Sequence, residues 1–372
     1  MIKKTLAALA LAFIAGNAGA QEKNAVFEKP KFGGYFIGQY QYSDQDDNES
    51  NTFNMRYLRL YASGRIMKDF FWKIQGQANG QTSTLGKSPR IVDVFAEWQK
   101  YDYMRIKVGQ FKNPFTFENP THPITQGFMG YGQIISKLAG MGDRSGQHAS
   151  NGRDIGIQIQ GDFLKNASGR NLVHYQIGVF NGSGINTKDV DNQKNLIGGV
   201  WVMPVKGMRI GAFGWTGSYA RKGTWTDEKG ATHNGVRSLG QRRYAFSGEY
   251  ITNDWTFRSE YVHSTGKAFA KKDEGNGEAK DLTINDKIGD KADGFYALCI
   301  APVIKDKFHV KARYDLYRKA AEWNTSRTQY EIGVDYMVNK YLQFNLEYAL
   351  INDRSLAEHN YNFVEAAMSV KF

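Results

Sequence analysis

The feature that most restricts this chain is an alternation of apolar and polar residues sustained over runs of 10 to 14 residues. Leu342, Phe344, Leu346, Tyr348 and Leu350 interleave with Gln343, Asn345, Glu347 and Ala349. Ile155, Ile157 and Ile159 alternate with Gly156, Gln158 and Gln160, and Met104, Ile106 and Val108 with Arg105, Lys107 and Gly109. The chain closes on Val364, Ala366, Met368, Val370 and Phe372 in the same rhythm. A period of two puts the two sets on opposite faces of a β-strand. Globular strands run to about 5–6 residues, whereas a tilted strand crossing a bilayer needs about 9–11. No window carries a comparable 3.6-residue stripe.

Read this way, the sequence predicts sixteen strands, from 31–42 to 361–372. The segments between them are 10, 2, 10, 2, 40, 6, 13, 2, 20, 2, 27, 4, 7, 2 and 9 residues long. Long and short alternate throughout, as the outward loops and inward turns of a transmembrane barrel do. In hydrocarbon every backbone N–H and C=O must find a partner within the protein, so a sheet that crosses must close on itself. The expected fold is all-β: a 16-stranded antiparallel transmembrane barrel whose third, 40-residue extracellular loop folds into the lumen. At this size side chains no longer fill the middle and water enters.

Composition agrees. Aromatic residues are 14% of the chain, yet the mean hydropathy is −0.53. Aromatics cluster at the predicted short turns, among them Trp98, Tyr101 and Tyr103, Trp255, and Tyr336 with Tyr341, which suits interfacial girdles. One cysteine, Cys299, excludes a disulfide-stapled module. Lys3 and Lys4, the apolar run Leu6 to Ala15 and Ala18-Gly19-Ala20 form a secretory leader. The expected organisation is therefore a signal peptide over 1–20 and a bacterial outer-membrane barrel over 21–372. Losing the leader's two lysines lowers the net charge from +11 to +9.

If apolar positions face lipid, the others face the lumen. Basic candidates are Arg59, Arg65, Lys73, Arg105, Lys107, Arg243, Arg258, Lys311 and Arg313. They are matched by a similar number of acids, including Asp93, Glu97, Asp154, Glu249, Glu260, Asp315, Glu331, Asp335, Glu347 and Glu365. Basic rings select anions in pores, so the net charge leans toward anions without naming one. The third loop, 113–152, begins with Phe115, Phe117 and Glu118 and carries Lys137 and Arg144. Its middle, with Phe128, Met129, Tyr131, Ile134, Ile135 and Leu138, is too apolar to float in water.

At this point a family resemblance emerges. Gly109-Gln110-Phe111-Lys112-Asn113-Pro114-Phe115, following Arg105-Ile106-Lys107-Val108, resembles the signature region of the phosphate-selective porins of the O and P type. Arg56-Tyr57-Leu58-Arg59-Leu60, leading to Gly64-Arg65, resembles that family's second strand. The resemblance implies a trimeric outer-membrane barrel in which Arg and Lys line a constriction. Lys112, Arg56, Arg59 and Arg65 are the positions that carry over. Phe372 resembles the terminal signal by which such barrels are inserted.

Other chemistry finds little support. Asp44, Asp46 and Asn48 start like a calcium loop, but Glu49 and Met55 stand where Gly and Glu belong. No histidine pair has zinc-protease spacing and no nucleophile motif has credible context. No metal, cofactor, catalytic residue or nucleic-acid partner is expected. The expectation is a porin passing small hydrophilic solutes by passive diffusion, with an anion preference and phosphate or polyphosphate as candidates. The alternatives are a porin for neutral or acidic sugars, with Phe128 and Tyr131 as a stacking track, and a barrel enzyme using His122, His148 or His233. A soluble secreted β protein is the reading furthest from the pattern.

Overall fold

The computed structural model describes residues 27–80, 88–146, 148–271 and 278–372. The expected leader lies outside them. Sixteen strands form the closed wall, and a short further strand, Glu278–Asp281, pairs parallel with the strand Met208–Thr226. The wall strands begin with β1 Lys31–Ser43, β2 Ser50–Ile66, β3 Phe70–Ala78, β4 Arg90–Tyr101, β5 Met104–Lys112, β6 Arg153–Lys165, β7 Asn171–Phe180 and β8 Asn195–Val202. They continue as β9 Met208–Thr226, β10 Thr232–Thr252, β11 Trp255–Thr265, β12 Lys291–Ile304, β13 Phe308–Arg318, β14 Ser326–Asn339, β15 Leu342–Asp353 and β16 Asn360–Lys371. Each pairs antiparallel with its neighbours, and β1 closes the ring on β16 from Tyr35 opposite Lys371 to Ser43 opposite Phe363. Phe372 completes the seam by exchanging backbone hydrogen bonds with Gly34 at 2.8 and 3.0 Å.

The two faces separate as the period requires. Leu60, Ile74, Val108, Ile157, Val200, Phe246, Val310, Ile332 and Leu346 are exposed on the outside, as lipid-facing residues are in the absence of lipid. Gln75, Asp93, Glu97, Glu249, Glu260, Lys311 and Glu347 are buried within. Girdle aromatics pair at the inner rim: Trp98 meets Tyr101 edge-on at 5.6 Å, and Tyr101 stacks on Tyr103 at 5.2 Å. Among the described residues no helix is long and apolar enough to cross a membrane.

Two departures from the sequence reading have physical causes. The loop expected over 221–240 is mostly sheet, because β9 and β10 run on as a hairpin paired down to Thr226 opposite Thr232. Beyond the bilayer neither face needs lipid, so the apolar alternation stops while the hydrogen-bonded ladder does not. The connections 203–207 and 227–231 are consequently alike in length, and the long–short alternation lapses there. The second departure is a bulge. Ile37 pairs with Tyr57 but Gly38 with Met55, leaving Arg56 as the extra residue. Strict parity would point Arg56 to lipid, opposite to Arg59; the bulge turns both inward, where both are buried.

Candidate solute passage

The loop over 113–152 has no place in the wall ladder, so its backbone polar groups need other partners. It contains one short helix, α1 (Gln133–Leu138), and a two-residue hairpin pairing, and most of the rest is irregular. The partners come from ionised side chains of the inner wall. Glu260 on β11 accepts from the N–H groups of Phe117 at 2.7 Å and Glu118 at 2.9 Å. Glu347 on β15 accepts from Met129 N–H at 2.9 Å, and Asp315 on β13 from Gln133 N–H at 2.8 Å. Cations take the carbonyls: Arg258 donates to Gln126, Lys311 to Gly127, Arg313 to Gly130 and Arg243 to Leu138, at 2.8 to 3.0 Å. A segment bonded to inward-facing groups of β10, β11, β13 and β15 lies inside the barrel.

Those cations are themselves neutralised. Arg258 pairs with Glu249, Lys311 with Glu347 and Arg313 with Glu331, each at 2.6 Å. Buried charges need such pairing and full hydrogen bonding to offset desolvation. Apolar packing completes the attachment. Phe115 meets Trp215 edge-on at 5.6 Å, Phe117 meets Phe213 at 5.4 Å, and Ile134, Ile135 and Leu138 are fully buried. Glu118 sits within this contact, accepting from Gly132 N–H at 3.3 Å. Burial pushes its carboxyl up to about 7, against the pull of Arg313 and Arg258 and with help from Glu260 and Asp315.

The loop thus occupies part of the lumen and leaves two chambers beside it. The outward chamber, of about 920 Å³, lies between the loop and the wall of β13 to β16, with Arg56, Tyr57, Tyr131 and Lys137 along it. Its charges are mixed, since Arg313 and Arg327 face Glu331, Glu347 and Glu365. The inner chamber, of about 280 Å³, is lined by Tyr35, Arg59, Lys73, Asp93, Lys107, Lys112, His122 and Arg153. Two cations stand where the chambers adjoin. Arg59 donates to Tyr35 Oη at 2.7 Å and Gln77 at 2.8 Å, with its guanidinium 4.3 Å from the Tyr57 ring centre. Lys112 donates to the Asn119 carbonyl at 2.8 Å and reaches Tyr131 Oη at 3.4 Å.

The inner chamber carries an excess of positive charge. Asp93 is shared by Arg153 at 2.6 Å and Lys73 at 3.4 Å, and Lys107 approaches Glu97 at 3.7 Å. Arg59 has no carboxylate partner among the described residues, and one of its terminal nitrogens is buried without a hydrogen bond. His122, a loop residue facing this wall, is held down at about 4. Burial is the main cause, and the positive field of Arg59, Lys371, Lys73 and Lys112 adds to it.

The residues singled out from sequence therefore divide. Arg56, Arg59, Lys73, Lys107 and Lys112 line the chambers. Arg56 is tied to Glu365 at 3.1 Å. Arg65 and Arg105 lie lower on the wall, Arg65 bonded to Gln99 and Arg105 to Asp162. Arg258 and Lys311, expected to meet solute, instead hold the loop, and Arg313 does so while also touching the outward chamber. Of the expected constriction residues, Phe115, Phe117 and Glu118 are buried in the attachment rather than displayed. Lys137 faces the outward chamber, and Arg144 is spent on the carbonyls of Gly266 and Ile288. Phe128 is buried under Lys311 and Arg313, which removes it from any stacking track. Arg153 and Arg90 were missed, because each stands where the chain enters a strand and parity has not yet settled.

Residues 33–194 match the family model of the phosphate-selective porins O and P. No curated protein matches the chain. Among solved structures, the barrel is similar to the loop L8 deletion mutant of OmpT, an outer-membrane protein of Vibrio cholerae. That match has a TM-score of 0.61 at 11% identity and covers 92% of this chain and 99% of the other. The outer-membrane channel DcaP of Acinetobacter baumannii matches at TM-score 0.59 and 12% identity, over 95% and 100%. OmpT in its trimer form matches at 0.57 and 13%, over 92% and 99%.

Proposed function

We propose that this outer-membrane porin barrel passes small hydrophilic solutes by passive diffusion with a preference for anions, and that phosphate-like oxyanions are its best substrates. The single observation that carries the reading is Arg59. Its guanidinium sits where the two chambers adjoin, unmatched by a carboxylate among the described residues and with one nitrogen unsatisfied. An anion about 4 Å from one such charge gains roughly 4 kcal/mol at an effective dielectric of 20, before its own desolvation is counted. Lys112 and Arg153 stand on the same wall. A transient oxyanion would be drawn to these donors and would leave again, since no closed cage surrounds it.

The chain is read as a channel rather than an enzyme: Arg258, Lys311 and Arg313 hold the loop, and Arg59, Lys73, Lys107 and Lys112 line the inner chamber. A homotrimer is the proposed assembly, and insertion through the Phe372 strand is the proposed route into the membrane. The experiment is single-channel recording with phosphate titrated into chloride. Block of chloride current by low phosphate, weakened in Arg59→Glu and Lys112→Glu, is the expected result. Chloride current indifferent to phosphate would leave a general pore and remove the oxyanion preference.

A further inference from the structure

The lipid-facing side of β10 to β13 carries charge where only apolar residues are needed. Ala245, Val262, Gly294 and Tyr317 lie opposite one another across these strands, and Ala245, Val262 and Tyr317 belong to the buried inner cluster. Their sequence neighbours therefore point out of the barrel. Two outward rows follow from the register. The lower runs Tyr244, His263, Asp293, Arg318; the upper, nearer the outer strand ends, runs Arg242, Thr265, Lys291. In the lower row Arg318 grips Asp293 with two hydrogen bonds of 2.6 and 2.8 Å, so that row is balanced.

The upper row is not balanced. Arg242 and Lys291 are both exposed, and among the described residues neither has a hydrogen bond, ion pair or ring partner. Two strands apart, they stand roughly 10 Å from one another. Below Arg242 the same face of β10 is aromatic, with Tyr244 and Phe246 exposed, and below Lys291 stands the paired Asp293. Charge on the lipid face of a barrel is tolerated only near the interface, and there it attracts anionic head groups.

We propose that the outer rim of β10 to β12 is a docking site for a phosphorylated lipid of the outer leaflet. Arg242 and Lys291 take one phosphate between them. The acyl chains lie down the Tyr244 and Phe246 face. This assignment is independent of what passes through the lumen, because neither residue lines a chamber.

The test is native mass spectrometry of the delipidated protein in detergent, titrated with diphosphorylated lipid A and, separately, with the same lipid stripped of its phosphates. The wild-type protein is expected to bind the phosphorylated form selectively. One cation near an anionic surface contributes roughly fivefold, so Arg242→Gln with Lys291→Gln together should weaken binding about thirtyfold. Lys340→Gln, on the opposite, inner rim, serves as the control and should change nothing. Equal binding of both lipids, or unchanged binding by the double variant, overturns the proposal. A double variant that alters oligomeric state with lipid binding intact also overturns it and makes the face a protein contact. Both substitutions are of exposed side chains, and heat-modifiable mobility on gels verifies that the barrel is folded.

Discussion

Removal of the Glu260 carboxylate should release the lumen loop while leaving the barrel standing. Glu260 is 1% exposed and accepts four hydrogen bonds: from Phe117 N–H, Glu118 N–H, Tyr296 Oη and Ser247 Oγ. Hydrogen bonds to a charged group are worth about 1.5–3 kcal/mol each, and breaking one side of a buried charged network costs about 3–5 kcal/mol in total. Two of the four donors, Phe117 and Glu118 N–H, belong to the loop and two, Tyr296 and Ser247, to the wall, so about half of that cost, roughly 1.5–2.5 kcal/mol, falls on the attachment of the loop, and the sheet ladder is untouched. At 1.4 kcal/mol per factor of ten, the ratio of seated to unseated loop drops by roughly one to two powers of ten. Single-channel recording of Glu260→Ala should then show added conductance levels and noise absent from the wild type. Glu260→Gln keeps one acceptor oxygen and should fall between. Quiet, wild-type traces from a folded Glu260→Ala barrel would refute the idea that wall ion pairs hold the loop.

Three further outcomes follow from the same geometry. The Glu118 carboxyl, at 4.5 when unfolded and about 7 in the fold, favours the neutral form, so its contribution is present below pH 4.5 and lost as pH rises to 7. Melting temperature against pH should lose that dependence in Glu118→Gln; parallel curves would show that burial does not control this group. His122, held near 4, should stay neutral to low pH, and its NMR titration should move upward when Arg59 is replaced by Gln; a value near 6.5 in the wild type would remove the positive field inferred there. Leu346 is 53% exposed in the middle of β15, so Leu346→Arg should cost about 2–4 kcal/mol in equilibrium folding into vesicles. Unchanged stability would mean that this face does not meet lipid.

Period-two patterning located every barrel strand because lipid imposes it: one misplaced polar face is costly in hydrocarbon. Where lipid ends, so does the signal, and the outer halves of β9 and β10 read as a loop. The site was legible in part for the same reason. Arg59 and Lys73 follow from parity alone, whereas Arg56 reaches the lumen only through a bulge that no pattern announces. Arg258, Lys311 and Arg313 were correctly placed inside but not by role. Which lumen charges meet solute and which meet the loop depends on contacts between residues more than a hundred positions apart, such as Arg258 with the Gln126 carbonyl.

The claim on which the account rests is that cations at the junction of the two chambers set the sign of selectivity. Reversal potential across a planar bilayer in a tenfold potassium chloride gradient measures that sign directly. The wild type should reverse on the chloride side of zero, and Arg59→Gln with Lys112→Gln should move it toward the potassium side. A wild type reversing at the potassium potential, or a double variant that leaves the value in place, would contradict the account.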